Sequence, residues 1–183
     1  NFIFFDKLNN EKFKLLYLVG SDNLKIKKSN EFIIYQGSHG DKNASIADVI
    51  LPSPTYTEQN GLFENLEGRI QECRKASYPT SEALEDWKIF NLINHSLNGS
   101  DLFLNFLSIR KLALQEIPNF TEIDLLPINK KPVKANISLE SSSEKINIKN
   151  IDYYYSNSIA RASKTMSDCR NILNDTKKNG TNN

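Results

Sequence analysis

Dense apolar runs closed by turn residues fill the first third of the chain. Residues 13–23 (FKLLYLVGSDN) pass through Leu15, Leu16, Tyr17, Leu18 and Val19 and stop at Gly-Ser-Asp. A continuous apolar run of this length fits a strand buried on both faces. Residues 31–41 (EFIIYQGSHGD) repeat the plan, with Phe32, Ile33, Ile34 and Tyr35 before a glycine-rich turn. Residues 47–52 (ADVILP) make a third run, ended by Pro52, which has no N–H to give to a ladder. Three short runs, each closed by a loop, predict the mainly parallel sheet of an α/β domain. The spacings between them are short for full helical crossovers, so further elements are expected upstream.

The period then changes. In residues 80–97 (TSEALEDWKIFNLINHSL), Leu84, Trp87, Phe90, Ile93 and Leu97 recur at steps of three and four, the stripe of an amphipathic helix. Thr80 or Ser81 can cap it, and Glu82 and Glu85 suit the positive end of its dipole. Residues 100–117 predict a second helix, with Phe103, Phe106 and Ile109 or Arg110 on successive turns and Pro118 ending it. The α/β domain is therefore taken as residues 1–118. Residues 119–150, with Pro127, Pro132 and a serine-rich stretch, read as an extended connector. A helix follows a tyrosine cluster within residues 151–176. Ser156 or Asn157 can cap it, and Ile159, Ala162, Met166, Cys169 and Leu173 line one side. Residues 177–183 are polar and expected to be a disordered tail.

Charge narrows the partners. Lys plus Arg number 23 against 22 Asp plus Glu, so no strong field points to nucleic acid or an acidic membrane surface. No apolar run approaches the roughly 20 residues that span a bilayer, and a soluble polypeptide is expected. The opening FIFF is too short for a signal peptide, being broken by Asp6 and Lys7. Asn, Lys and Ile are abundant while Arg is scarce, a bias that follows A/T-rich codons and points to an AT-rich mitochondrial or bacterial genome. Asn-x-Ser/Thr triplets such as those at Asn43 and Asn98 are expected by chance at this asparagine content.

The usual reactive residues are sparse. Cys73 and Cys169 are far apart, form no C-x-x-C pair, and cannot alone supply the about four ligands of an iron–sulphur cluster. His39 and His95 share no ligand spacing with them. The turns at Gly20 and at Gly37 and Gly40 match neither G-x-G-x-x-G nor a P-loop, so turn chemistry is the better reading. No metal ligand, cofactor-binding residue or catalytic residue is assigned.

One stretch does concentrate charge. Residues 47–71 (ADVILPSPTYTEQNGLFENLEGRIQ) bring Glu58, Glu64, Glu67 and Arg69 close together in sequence. Acid and base so close could be a catalytic site, a cofactor pocket or a packed structural corner. The segment resembles one shared by molybdopterin oxidoreductases and the large iron–sulphur subunit family of respiratory complex I. In those families ADVVLP, a following Glu and N-x-E-G-R-x-Q occur together. Here they are matched by Ala47 to Pro52, Glu58, and Asn65, Glu67, Gly68, Arg69 and Gln71. IIYQGSHGD, EDWKIF and DYYYSNSIARASKTM resemble the complex I branch.

The resemblance implies the C-terminal part of such a subunit: a piece of a molybdopterin-oxidoreductase-like domain, then helices and an extended C-terminal arm. Cluster ligands in the family lie in an N-terminal portion that nothing here matches, and the complex I branch lacks the molybdenum cofactor. The expectation is a non-catalytic structural portion in the peripheral arm of a proton-pumping NADH:quinone oxidoreductase. Iron–sulphur clusters and FMN would lie elsewhere in the complex, and this chain would bind no cofactor. Its partners would be other subunits and the cluster-bearing portion, which could be a separate chain. The place would be the matrix side of the mitochondrial inner membrane, the gene mitochondrial and AT-rich. A chain starting inside the domain suggests a split gene product or a processed fragment. The alternative is a fragment of a true molybdopterin oxidoreductase such as a formate dehydrogenase; a free-standing nucleotide-binding module is a third reading.

With no His or nucleophile nearby in sequence, Glu58, Glu67 and Arg69 are not expected to be acid/base groups. Gly68 would allow a conformation or approach that a side chain blocks. Arg69 would hold a carboxylate through its planar fork and tie strand ends together. A structural corner is the favoured reading, with a vestigial cofactor pocket beside it. The C-terminal stripe would dock either on another subunit or on this chain's own two helices.

Overall fold

The computed structural model describes residues 8, 13–21, 24–40, 42–117, 123–126 and 152–178. Three strands, β1 (Leu15–Val19), β2 (Phe32–Gly37) and β3 (Val49–Pro52), form a parallel sheet in the order β1-β2-β3. In register, Leu15 lies opposite Phe32 and Val19 opposite Gln36, while Ile34 meets Val49 and Gly37 meets Pro52. All three predicted runs are strands, and the domain is α/β.

Alternation on the central strand divides its side chains between two environments. Ile33 and Tyr35 are buried with Leu18, and Ile26, Ala44, Ile46 and Ala47 pack against them. The short helix α1 (Lys42–Ser45) supplies Ala44 to this core, and its Asn43 is fully buried, donating to Ser21 O at 2.5 Å. A folded-state glycan on Asn43 is thereby excluded. Asp48 closes the same face: its carboxylate accepts from Ile33 N at 2.8 Å and pairs with Lys28 Nζ at 2.6 Å. The expectation of burial on both faces holds only for β2, and there only beyond Phe32, which is exposed. Leu15 and Val19 on β1 and Val49 and Ile50 on β3 are exposed, because these strands flank the sheet.

The other environment is polar at its centre. Gln36 is completely buried, its Oε1 accepting from Tyr17 OH and its Nε2 donating to Asp86 Oδ1, both at 2.6 Å. Asp86 opens helix α2 (Asp86–Asn98), whose Phe90 stacks on Tyr17 with ring centroids 5.9 Å apart. Burial holds the Tyr17 phenol above its usual range, and the Asp86 charge adds to this.

Helix α2 begins six residues later than the periodicity predicts. Leu84 N donates to Pro52 O, Ser81 has φ +52°, and Glu85 is non-helical with ψ 137°, so residues 81–85 are tied to the end of β3 instead. Neither Thr80 nor Ser81 caps the helix, and its one buried side chain is Ile89 rather than a member of the predicted stripe. Gly99 in the left-handed conformation ends it, with its N–H on His95 O. Helix α3 (Phe106–Glu116) also starts late, because Asn105 and Ser108 form a reciprocal capping box. Asn91 of α2 fixes the loop that leads into α3 by bonding both the N–H and the C=O of Phe103.

A two-stranded antiparallel hairpin, β4 (Gly61–Glu64) and β5 (Ile70–Cys73), lies between sheet and helices in the chain. The connector predicted at 119–150 falls outside the described residues except 123–126, where Ile123 bridges to Ile70. The C-terminal arm has a 3-10 turn (Tyr153–Tyr155), α4 (Ser158–Ala162) and α5 (Lys164–Lys178). Asn157 caps α4 as expected, its side chain accepting from Ala160 N. The single predicted helix is nonetheless broken at Ser163. Its extended ψ of 122° frees its hydroxyl to accept from Met166 N and start a second helix. That helix runs through Lys178, past the boundary set for a tail; residues 179–183 lie outside the described residues.

Candidate functional site

The charged stretch of residues 58–71 resolves into separate structures. Its second half is the tip of the hairpin. Asn65 N donates to Arg69 O at 2.9 Å, closing the ladder, and Gly68 N returns to Asn65 O at 3.0 Å. Asn65 Oδ1 accepts from both Glu67 N and Arg69 N. Gly68 sits at φ +83°, where a side chain would strain the backbone. This is a four-residue turn, residues 65–68, that ends on a left-handed glycine, a common way to join antiparallel strands. N-x-E-G-R is thus turn chemistry: Asn65 organises, Gly68 bends, and Glu64 and Glu67 remain solvent-exposed.

Arg69 departs from expectation. Among the described residues its guanidinium holds no carboxylate, and its Nε is buried without a hydrogen-bond partner. The guanidinium that ties the hairpin is Arg110 of α3, which donates to Glu72 Oε1 at 2.7 Å. That bond holds the Glu72 carboxyl below its usual range. The physical reason is strand alternation: Arg69 and Glu72 are three residues apart along the extended hairpin arm and so lie on opposite faces, and Glu72 has the face toward α3.

Glu58 belongs elsewhere. Its carboxylate accepts from Thr55 N at 3.1 Å and its own N–H donates to Thr55 O at 3.0 Å, a reciprocal clamp on the loop after β3. No hydrogen bond or ion pair joins Glu58, Glu64 or Glu67 to Arg69 among the described residues. The acid/base pairing suggested by sequence proximity is therefore not assembled.

Glu58 instead lines a crevice of about 630 Å³ at the C-terminal ends of β2 and β3. Crevices at this end of a parallel sheet are where α/β domains commonly hold ligands. Hydroxyls dominate the lining (Ser38, Ser53, Thr55, Tyr56, Thr57, Thr80 and Ser81), with His39, Glu58 and Glu82 as its ionisable groups beside Tyr56. Among the described residues its lining has neither Lys nor Arg. The His39 ring nitrogen Nδ1 is 3.0 Å from Ser38 Oγ, and Tyr35 OH donates to His39 O.

The remaining candidates are scattered. Cys73 Sγ donates weakly to Tyr56 O at 3.5 Å, Cys169 lies on α5, and both are free thiols. His95 pairs with Asp101 at 3.1 Å on the surface. Among the described residues no three His, Cys, Asp or Glu side chains gather to hold a metal, and no helix is long and apolar enough to cross a membrane. Sequence reasoning missed Gln36, Asp48 and Arg110. Only Asp48 carried a local signal, as the polar residue directly before an apolar run.

Known proteins place this architecture. The chain is 35% identical over 172 residues to the NADH-ubiquinone oxidoreductase 75 kDa subunit of Reclinomonas americana, covering 91% of this chain and 25% of that protein. It is 40% identical over 160 residues to an NADH-quinone oxidoreductase subunit of Rickettsia bellii, covering 87% and 23%. It is 37% identical over 174 residues to the mitochondrial NADH-ubiquinone oxidoreductase 78 kDa subunit of Candida albicans, covering 86% and 24%. The chain thus spans about a quarter of the length of these relatives. The molybdopterin oxidoreductase family model matches residues 2–95, which takes in the whole parallel sheet, the hairpin and most of α2. On that match, and on the parallel α/β sheet beneath it, the chain belongs to the molybdopterin oxidoreductase family.

Proposed function

We propose that this chain is a non-catalytic structural portion of the large iron–sulphur subunit in the peripheral arm of a proton-pumping NADH:quinone oxidoreductase. It contributes to electron transfer from NADH to quinone by completing the domain that supports the cluster-bearing portion. The names of its relatives favour this reading, and one observation carries the non-catalytic part: the N-x-E-G-R motif is spent on a hairpin turn. The enzyme is the complex, and the clusters and FMN belong to its other parts. Residence on the matrix side of the mitochondrial inner membrane, with a gene in an AT-rich genome, fits the codon bias and the mitochondrial relatives.

The family implies molybdopterin, a pterin that carries an anionic phosphate and a dithiolene. The crevice residues do not fit it. A phosphate needs cations or a helix N-terminus aimed at it, whereas among the described residues Glu58 and Glu82 line the crevice without Lys or Arg. No step of the reaction is assigned to that group here.

Arg69→Ala tests the scaffold reading in the parent complex. Arg69 closes the hairpin tip through its backbone bonds to Asn65, and its guanidinium Nε is buried against this chain, so its removal is felt in the fold. The substitution is expected to lower the amount of assembled complex while NADH:quinone turnover per assembled complex stays unchanged. Normal assembly with abolished turnover would overturn it.

A further inference from the structure

Strand β3 lies at one edge of the parallel sheet and is apolar throughout, from Val49 through Ile50 and Leu51 to Pro52. Its hydrogen bonding alternates. Asp48 N donates to Ile33 O, so the N–H and C=O of Ile50 also face β2, while those of Val49 and Leu51 face away from it. Among the described residues, the backbone bond on that outer side is Leu84 N to Pro52 O at 3.2 Å, at the last residue of the strand. Val49 and Leu51 therefore present an open ladder edge.

Edge strands are commonly blunted by charge, proline or a bulge. Here Pro52 comes only at the end, and the neighbouring acid, Asp48, is turned inward to Lys28 and Ile33 N.

Apolar surface continues from this edge. Ile50 shares the sheet face of Tyr35 yet is 54% exposed, and Val49, on the opposite face, is 38% exposed. Beside Leu51 a groove of about 240 Å³ runs to α2, where Leu84, Ile89, Leu92 and Ile93 line it. Glu82 is its one ionisable lining residue among the described residues. Leu92 is 57% exposed, so the groove is open to a partner.

An all-parallel sheet is normally covered on both faces, and sheets usually have about four to six strands. Among the described residues this one has three, and the family match runs through all of them. The chain spans about a quarter of the length of its relatives, so most of such a polypeptide lies outside it and can supply a further strand.

We propose that the β3 edge takes an apolar, uncharged strand from the remainder of the parent subunit. That strand pairs with Val49 and Leu51 and lays side chains into the groove against Leu84 and Leu92. Main-chain bonds then give affinity and the groove gives specificity. The proposal rests on the reading of this chain as a portion of that subunit.

Residue-resolved amide hydrogen exchange tests it in the monomeric isolated chain and in the purified complex. In the isolated chain the Val49 and Leu51 amides should exchange fast, while β2 protects that of Ile50. In the complex both outer amides should slow by at least about a hundredfold, as paired strands do. Fast exchange at both, in a complex that contains the chain, overturns the proposal and leaves the scaffold reading standing. Slow exchange already in the monomeric chain means that the covering segment is this chain's own, and also overturns it. A complex that assembles without the chain overturns the scaffold reading and this proposal together.

Val49→Pro gives a second measurement, because an edge strand tolerates proline where the N–H points outward. The Ile33 amide should stay protected in the isolated variant, while recovery of the chain in the complex falls about tenfold through the lost ladder bond. Recovery equal to wild type overturns the proposal. Should Val49→Pro expose the Ile33 amide, Leu92→Glu replaces it. Its carboxylate in the apolar groove should produce the same fall, and wild-type recovery again overturns the proposal.

Discussion

Removing the buried amide of Gln36 is expected to detach α2 from the sheet. Gln36→Leu keeps most of the volume but leaves Tyr17 OH and the Asp86 carboxylate without the partners they hold at 2.6 Å. A buried group stripped of its partner costs about 1–3 kcal/mol, and more when charged. Tyr17 and Asp86 are only half-buried, so water recovers part of that. The two losses together should come to about 2–3 kcal/mol at neutral pH. The one tryptophan, Trp87, follows Asp86 directly and reports on α2, so urea unfolding followed by its fluorescence gives both stability and helix detachment. A double-mutant cycle with Tyr17→Phe should return a coupling of about 1 kcal/mol, since one bond is shared by both variants. Asp86→Asn should also lower the Tyr17 phenol toward its ordinary range, leaving burial as the remaining cause. A destabilisation under about 0.5 kcal/mol, the size of an ordinary surface change, or a coupling near zero, would refute the role given to Gln36.

Gly68→Ala should cost about 1–2 kcal/mol through left-handed strain at φ +83°, read by thermal unfolding, while Gly68→Asn should cost less. Asp48 is held below its usual range, first by the Lys28 ammonium and then by the Ile33 N–H. Its folded value lies below its unfolded one, so its contribution is present above the unfolded pKa and lost as pH falls through the folded one. The stability gap between wild type and Asp48→Asn should therefore close on acidification below about pH 4, and a gap that stays constant would contradict this. The isolated chain should retain no stoichiometric iron or acid-labile sulphide after reconstitution, since its two cysteines fall short of about four ligands per cluster.

The sequence by itself determined the parallel sheet and the identity of its strands. Apolar runs of Leu15–Val19 and Phe32–Tyr35, closed by glycine, and Val49–Leu51, closed by proline, have few alternatives once turn chemistry bounds them. It also determined the Gly68 turn, because a left-handed position is a local property that glycine announces. Tertiary structure decided everything that depended on a distant partner. Residues 80–85 have helical periodicity, yet the Leu84 N to Pro52 O bond holds them to β3 and moves the start of α2 to Asp86. Gln36 looks like an ordinary polar strand residue until Tyr17 and Asp86 close around it from two other elements. Arg69 and Arg110 offer the same fork, and only the fold gives Glu72 to Arg110. Local pattern marks which segments become strand and turn, because apolar runs and their glycine or proline stops act within a few residues. Which side chains meet is set by the packing of elements tens of residues apart, and no short window of sequence contains that information.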